Sequence, residues 1–331
     1  MSNIPEHLIE LPETLKAATW NEKIEYMYHQ QFETWNMARN HYHHFESVQK
    51  RDIQFDKFQI TIQFNQARAR STCADLSKKT IENRRCFLCS SNLPPEQKGF
   101  TILDKYLMLV NPFPIFERHL TISDFNHTPQ KIENRVVDML EMAKMLPIFT
   151  LFYNGPMCGA SAPDHFHFQA AKKGVMPFDS EIISLSSDRK DNIIEKEDIT
   201  IYSIKNYMRS CIVFESGWKE PIDYFFEQLL KILPFNEESG EPMLNLMASY
   251  DNEKFRLTIF PRKAQRPSCY YKEGNDRILV SPASVELGGI IVTPREEDFV
   301  RISEQDLKTI FDEVSIEESE FQRVKKEIQS I

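Results

Sequence analysis

Two histidines and a glutamine occupy alternate positions in His165-Phe166-His167-Phe168-Gln169. In an extended strand alternate side chains point to opposite faces, so His165, His167 and Gln169 share one face and the two phenylalanines the other. The phenylalanines suit a core. The polar trio suits a cleft, because burying two imidazoles and an amide without partners costs on the order of several kcal/mol. The preceding segment, NGPMCGASAPD (154–164), holds two glycines, two prolines and small residues between them. Such a loop lets backbone N–H groups approach an anion, and Asn154 and Ser161 add side-chain donors. An imidazole with one bare nitrogen, and the other donating to a fixed acceptor, is a competent nucleophile toward phosphorus. A purely structural histidine pair is the bland alternative. The loop, and Gln169 in phase with the histidines, weigh against it.

Other residues could serve the same chemistry. Cys86-x-x-Cys89 is half of a tetrahedral zinc site, with reduced buried thiols as the alternative. Basic residues gather at Arg68 and Arg70, at Lys172-Lys173, and at Arg262, Lys263 and Arg266. Arginine forks suit phosphate oxygens, although ordinary surface charge is the competing explanation. The His-Tyr-His-His run at 41–44 lies on a polar helix and reads as a solvated face. Glu286 could touch a sugar hydroxyl or cap a helix.

These residues need a scaffold. The chain has 331 residues, 41% apolar and 27% charged, which is enough for a buried core. Its net charge of −9 argues against nucleic acid and anionic membrane as partners. The first residues lack a cationic start with an apolar run, and no stretch approaches ~18 apolar residues. A cytoplasmic location is therefore expected. Six scattered cysteines point to a metal site or free thiols more than to disulfides.

Periodicity predicts one or two helices over 20–50, with Ile24, Met27, Tyr28, Phe32, Trp35 and Met37 facing inward. A strand is expected over 53–65, another ending at Asn111-Pro112, and a third over 119–123. A helix over 132–146 and strands over 149–155 and 165–171 follow. A surface loop or linker is expected near 175–200. The second half repeats the plan with a helix at 224–233 and a hairpin over 243–263. There FPRKAQRP takes the strand position that HFHFQ holds in the first half. Residues 281–292 read as a loop and a buried strand. The pattern is α+β and antiparallel, not alternating β-α-β. The expected parts are an N-terminal helical segment (1–50), a catalytic half (51–180) and a second half (200–331).

The segment YNGPMCGASAPDHFHFQ (153–169) resembles the active-site signature of the histidine-triad superfamily. The matching branch is that of galactose-1-phosphate uridylyltransferase, diadenosine tetraphosphate phosphorylase and the GDP-sugar phosphorylases. Gln169 stands where that branch has glutamine and the hydrolase branch a third histidine. The resemblance spans roughly residues 50–300, and the CFLC, FPR and SPAS-E segments are similar to those of a further bacterial group. It implies HIT-like antiparallel sheets with flanking helices, in two degenerate tandem halves. It implies nucleotidyl transfer through a covalent intermediate on His167. Gln169, Asn154, Ser161 and the backbone at Gly159 would then hold phosphate. Asn111 and Phe113 would lie along base and ribose, with a turn-forming role for Asn111 as the alternative. Arg68, Arg262 and Arg266 are the candidates for further phosphate contacts. Cys86, Cys89, His127 and His165 would hold a structural zinc. His119 is a rival ligand that the resembled family places nearer the catalytic pocket.

The implied substrates are a nucleoside diphosphate sugar or dinucleoside polyphosphate and a phosphate-containing acceptor. A hydrolase of the same fold and a non-catalytic zinc-stabilised nucleotide-binding module are the alternatives. A homodimer is left open.

Overall fold

Residues 4–73 and 77–331 are described by a computed structural model. After the short α1 (Glu13–Lys16), two helices follow, α2 (Trp20–Thr34) and α3 (Asn36–Phe45). Thr19 and Glu22 form a reciprocal capping box at the start of α2. Ile24, Met27, Tyr28, Trp35, Ala38 and Tyr42 are buried, and Phe32 packs on them. Met37, expected inside, is exposed: α3 restarts at Asn36 and turns Ala38 and Tyr42 inward instead.

The single strand expected over 53–65 is a hairpin, β1 (Gln49–Gln54) and β2 (Gln59–Phe64). The turn between them stacks Phe55 on Phe58, ring centroids 4.7 Å apart. Short helices α4 (Ala69–Thr72) and α5 (Lys78–Asn83) lead to a second hairpin, β3 (Gly99–Ile102) and β4 (Tyr106–Val110). Its turn was hidden because Leu103 and Asp104 take positive φ without a glycine. Next come β5 (His119–Asp124), α6 (Val136–Met145), β6 (Phe149–Asn154) and β7 (His167–Lys172).

The stretch expected as a linker instead holds α7 (Pro177–Ile183) and an edge strand, β8 (Lys190–Glu195), whose Ile193 and Ile194 are buried. Then follow β9 (Thr200–Ile204), β10 (Ile212–Ser216), α8 (Lys219–Ile232) and a two-residue hairpin, β11 (Phe235–Asn236) and β12 (Glu241–Pro242). The expected second-half hairpin is β13 (Leu244–Asp251) and β14 (Lys254–Pro261). It turns at Asn252 and Glu253, both with positive φ. The chain closes with α9 (Ser284–Leu287), β15 (Ile290–Thr293), α10 (Glu296–Arg301), α11 (Glu304–Val314) and α12 (Glu318–Gln329).

One sheet runs β3-β4-β5-β7-β6-β13-β14-β10-β9-β8, antiparallel throughout. Read outward from the β6–β13 seam, the order is β6-β7-β5-β4-β3 on one side and β13-β14-β10-β9-β8 on the other. Each side has three strands, a helix (α6 or α8) and two strands in chain order. Two tandem copies of one plan thus meet in one α+β sheet. Strand β14 is the counterpart of β7, as expected. The ends differ, however: His167 opens β7, whereas FPR closes β14. The antiparallel seam, with Asn154 opposite Asn245, brings those two unlike ends to the same side.

Leu120, Ile122, Phe166, Phe168 and Ala170 point into a core shared with α2, α6, α8 and α12. Burying Phe166 and Phe168 fully is worth about 2–3 kcal/mol each. The opposite face, with Phe152, Ala171 and Met247, meets β2, β15, α7 and α11 in a second core. There β15 pairs in parallel with β2, so both halves contribute to one small sheet. Among the described residues no helix is long and apolar enough to cross a membrane.

Candidate active site and metal cluster

Strand β7 begins at His167, not at His165. His165 sits in the preceding bend, so the two histidines do not form one row. They are used differently. His167 is 3% exposed, and burial pushes its imidazole down to about 4. Its Nδ1 lies 2.9 Å from the His165 carbonyl oxygen. A carbonyl only accepts, so Nδ1 carries the proton and Nε2 keeps its lone pair. This is the protonation state that nucleophilic attack requires.

Gln169 lies two residues further along the same face. Its Oε1 is 2.8 Å from His119 Nε2, and His119 Nδ1 accepts from the Ile115 amide at 3.4 Å. The Nε2–H tautomer of His119 therefore donates to Gln169 and leaves the glutamine N–H₂ as its outward donor end. His119 is fully buried and held down to about 3, by burial and by the nearby Arg68 guanidinium, so it stays neutral. The rings of Phe116 and Phe152 flank it at 5.5 and 6.1 Å.

The Cys/His cluster excludes His119. Its ligand atoms belong to Cys86, Cys89, His127 and His165, all within 4.8 Å of one another. Cys86 Sγ is 3.3 Å from His165 Nδ1, and Cys89 Sγ is 3.2 Å from His127 Nδ1 and 3.5 Å from His165 Nδ1. Zinc bonds of ~2.3 Å to sulfur and ~2.0 Å to nitrogen give tetrahedral S···N edges of about 3.5 Å. The donor set and its spacing fit such an ion. His165 Nε2 donates to the Asp124 carbonyl at 2.9 Å, which fixes the ligating tautomer. His127 Nε2 faces Asp164, which is paired with Arg84.

The loop over 154–164 is held from the second half. Asn154 Oδ1 accepts from Asn245 Nδ2 at 2.9 Å and from the Ser284 amide at 2.8 Å. Asn154 therefore keeps its Nδ2 as the donor end. Gly159 has φ +97°, and a Cβ there would stand 2.4 Å from the Ala283 Cβ. The glycine is thus required for contact with the SPAS segment as well as for the turn. Ser161 is half-buried in the same loop. Glu286 caps α9 by accepting from the Ala283 amide at 2.8 Å, the second of its two expected roles.

The arginines divide. Arg262 was expected on phosphate, but its guanidinium is spent inside the protein. Nε donates to the Val314 carbonyl, Nη1 to Asn245 Oδ1 and the Pro282 carbonyl, and Nη2 to the Ala264 and Gln265 carbonyls. It braces the loop from behind. Arg266 bonds Ser281 Oγ at 3.1 Å and lies over the Tyr270 ring. Arg68 donates to the Phe113 carbonyl at 3.0 Å and stands close enough to His119 to lower its proton affinity. The Arg70 side chain lies outside the described residues. Lys173 pairs with Asp251 at the far end of β7, away from the triad.

Asn111 takes its turn-forming role: Oδ1 accepts from the Phe113 amide and Nδ2 donates to Thr121 Oγ1, both at 2.9 Å. Phe113 remains exposed beside His41, ring centroids 5.1 Å apart. From the expected solvated face, His41 thus turns its Nδ1 to the Pro112 carbonyl at 2.7 Å, while His43 and His44 are exposed. Sequence reasoning missed Asn245 and Gln130. A lone asparagine in the apolar run LNLMAS was a signal for Asn245. Gln130 gave none.

Comparisons with known proteins agree with this architecture. Residues 27–172 match a family described as a domain of unknown function, DUF4922. Residues 184–331 match the GDPGP1-like, C-terminal domain. Galactose-1-phosphate uridylyltransferase of Enterococcus faecalis is 20% identical over 197 residues, 47% of this chain and 40% of that protein. The chain thus spans less than half the length of that relative. Yeast Ap4A phosphorylase Apa2 superposes with a TM-score of 0.54 at 12% identity, over 85% of this chain and 94% of the other. Its complex with AMP gives 0.56 at 13%, over 89% and 96%. At such identities the likeness is one of fold. The chain thus shares the fold of Ap4A phosphorylase, is a weak match to galactose-1-phosphate uridylyltransferase, and carries a GDPGP1-like, C-terminal domain over residues 184–331.

Proposed function

We propose that the protein is a nucleotidyltransferase or phosphorylase working by double displacement at the α-phosphorus of a nucleotide. His167 Nε2 attacks phosphorus and the bond to the leaving phosphate group breaks. A phosphate-containing acceptor then attacks the same phosphorus, breaks the P–N bond and regenerates the imidazole. The donor is a nucleoside diphosphate sugar or a dinucleoside polyphosphate. The single observation that carries this reading is the Nδ1–H of His167 on the His165 carbonyl, which leaves Nε2 bare on the face shared with Gln169. The Gln169 and Asn154 amides and the Gly159–Ser161 loop would receive the phosphate oxygens. Arg68 would supply the positive charge that an acidic chain must concentrate locally.

Zinc held by Cys86, Cys89, His127 and His165 would act structurally, since four protein ligands leave no open position. Similarity to a uridylyltransferase and to a phosphorylase supports transfer over hydrolysis. The test is intact-mass analysis after incubation with ADP-, GDP- and UDP-sugars and dinucleoside polyphosphates, without acceptor. A mononucleotide adduct that is lost in His167→Ala is expected, and its mass names the base. Turnover with water and no phosphate acceptor would point to a hydrolase. Tight nucleotide binding with no adduct from any donor would point to a binding module.

A further inference from the structure

The β6–β7 ladder pairs Phe149 with Lys172 through to Phe152 with Gln169, and there it stops. Two rows further, the same register would set Asn154 against His167. In its place stands the side chain of Gln130. Its Nε2 donates to the carbonyls of Asn154 and His167, both at 3.0 Å, and its Oε1 accepts from the His167 amide at 2.8 Å. Gln130 has no exposed surface, and its own amide donates to the Pro163 carbonyl at 3.0 Å. One carboxamide thus carries both backbone groups of the proposed nucleophile.

The segment ahead of it is held by the same turn. Asp124 N–H donates to the Phe166 carbonyl at 2.9 Å, Phe166 N–H to the Thr128 carbonyl at 2.7 Å, and His165 Nε2 to the Asp124 carbonyl. Residues 165–167 therefore hang on residues 124–130, not on β6. That turn also carries the metal-cluster residue His127.

We infer that Gln130 is a positioning residue for His167: it spreads β6 from β7 where the phosphate must enter and ties the nucleophile's backbone to the metal-bearing turn. The inference rests on the proposed role of His167. A closed antiparallel row brings opposed Cα atoms to ~4.5–5.5 Å. The interposed carboxamide keeps the Asn154 donor and the His167 ring on separate rims of the opening. Without it the orphaned groups either find other partners, turning the ring, or go unpaired, loosening it. In both cases the attacking nitrogen leaves its line to phosphorus, and misplacement of about 1 Å can cost ~100-fold in rate.

Gln130→Met keeps the length and volume and removes all three bonds. Gln130→Glu keeps an acceptor for the His167 amide. Four quantities are measured on each: the single-turnover rate of nucleotidyl-adduct formation, the donor dissociation constant, zinc content, and hydrogen exchange of the His167 amide. In Gln130→Met the adduct is expected to form roughly 30–300-fold more slowly. Donor affinity and zinc content should stay near wild type, and the His167 amide should exchange at least about tenfold faster, the loss of one bond. Gln130→Glu should recover part of the amide protection. A Gln130→Met rate near wild type overturns the inference. So does loss of zinc or donor affinity in step with rate, which would make Gln130 merely structural. Should no donor label the wild type, the exchange decides alone. Unchanged protection in Gln130→Met sinks the inference, whereas raised exchange upholds the positioning and leaves only the nucleophile reading to fall.

Discussion

His119 Nε2 donates to Gln169 Oε1 across 2.8 Å, joining strands β5 and β7 on the face that carries His167. A glutamine can present either end of its amide. Here a neutral imidazole, kept neutral by burial and by Arg68, decides which. His119 itself is held by the Ile115 amide, and the Tyr42 hydroxyl bonds its carbonyl at 3.2 Å. Helix α3 thus reaches His119 through the Tyr42 hydroxyl.

Replacing His119 should disorient Gln169 without touching the metal cluster. His119→Ala is expected to slow adduct formation by up to roughly 100–1,000-fold, the cost of losing one transition-state donor. Zinc should remain at one per chain. Zinc loss in this variant would restore His119 as a ligand and refute the assignment.

Cys86→Ser, Cys89→Ser and His127→Ala should each abolish stoichiometric zinc in elemental analysis. Thermal midpoints should fall by at least about 5 °C, since losing a structural zinc costs several kcal/mol. Full zinc content in any of the three would remove that residue from the site.

Much of this was legible because the motif residues act within a few positions of one another. Alternation in HFHFQ separates Phe166 and Phe168 from His167 and Gln169, and the C-x-x-C spacing marks Cys86 and Cys89. What escaped depends on partners far apart in the chain. Arg262 looked like a phosphate ligand because its five acceptors come from residues 245, 264, 265, 282 and 314. Gln130 sits in a polar turn whose sequence says nothing of the strand row it replaces. The β3–β4 hairpin was missed because Leu103 and Asp104 adopt a conformation that propensity assigns to glycine and asparagine.

Arg262→Met should act on stability first. It strips four carbonyls and Asn245 of a buried donor, and such losses cost about 3–5 kcal/mol. Urea denaturation measures this directly. A variant of wild-type stability with weakened donor binding would return Arg262 to the phosphate.

Glu241 should make stability fall with rising pH. Its Oε1 accepts from the Tyr153 hydroxyl and its Oε2 from the Ile132 amide, yet burial pushes the carboxyl up to about 7. The folded state therefore binds this proton more tightly than an unfolded chain, where the value is ~4.3. No stability is lost below the unfolded value. The loss grows between the two and is complete above about 7, reaching at most about 4 kcal/mol. Glu241→Gln should flatten the dependence between pH 5 and 8, and an unchanged slope would count against it. Glu286, also raised to about 7, keeps a residual slope in the same direction.

As the nucleophile, His167 Nε2 becomes bonded to phosphorus before the acceptor arrives. The most direct measurement is peptide mapping of the adduct formed without acceptor, quenched in alkali and fragmented by tandem mass spectrometry. The nucleotide is predicted on His167, within the peptide that holds residues 165–169. An adduct on another residue, or one that persists in His167→Ala, would exclude His167 as the nucleophile.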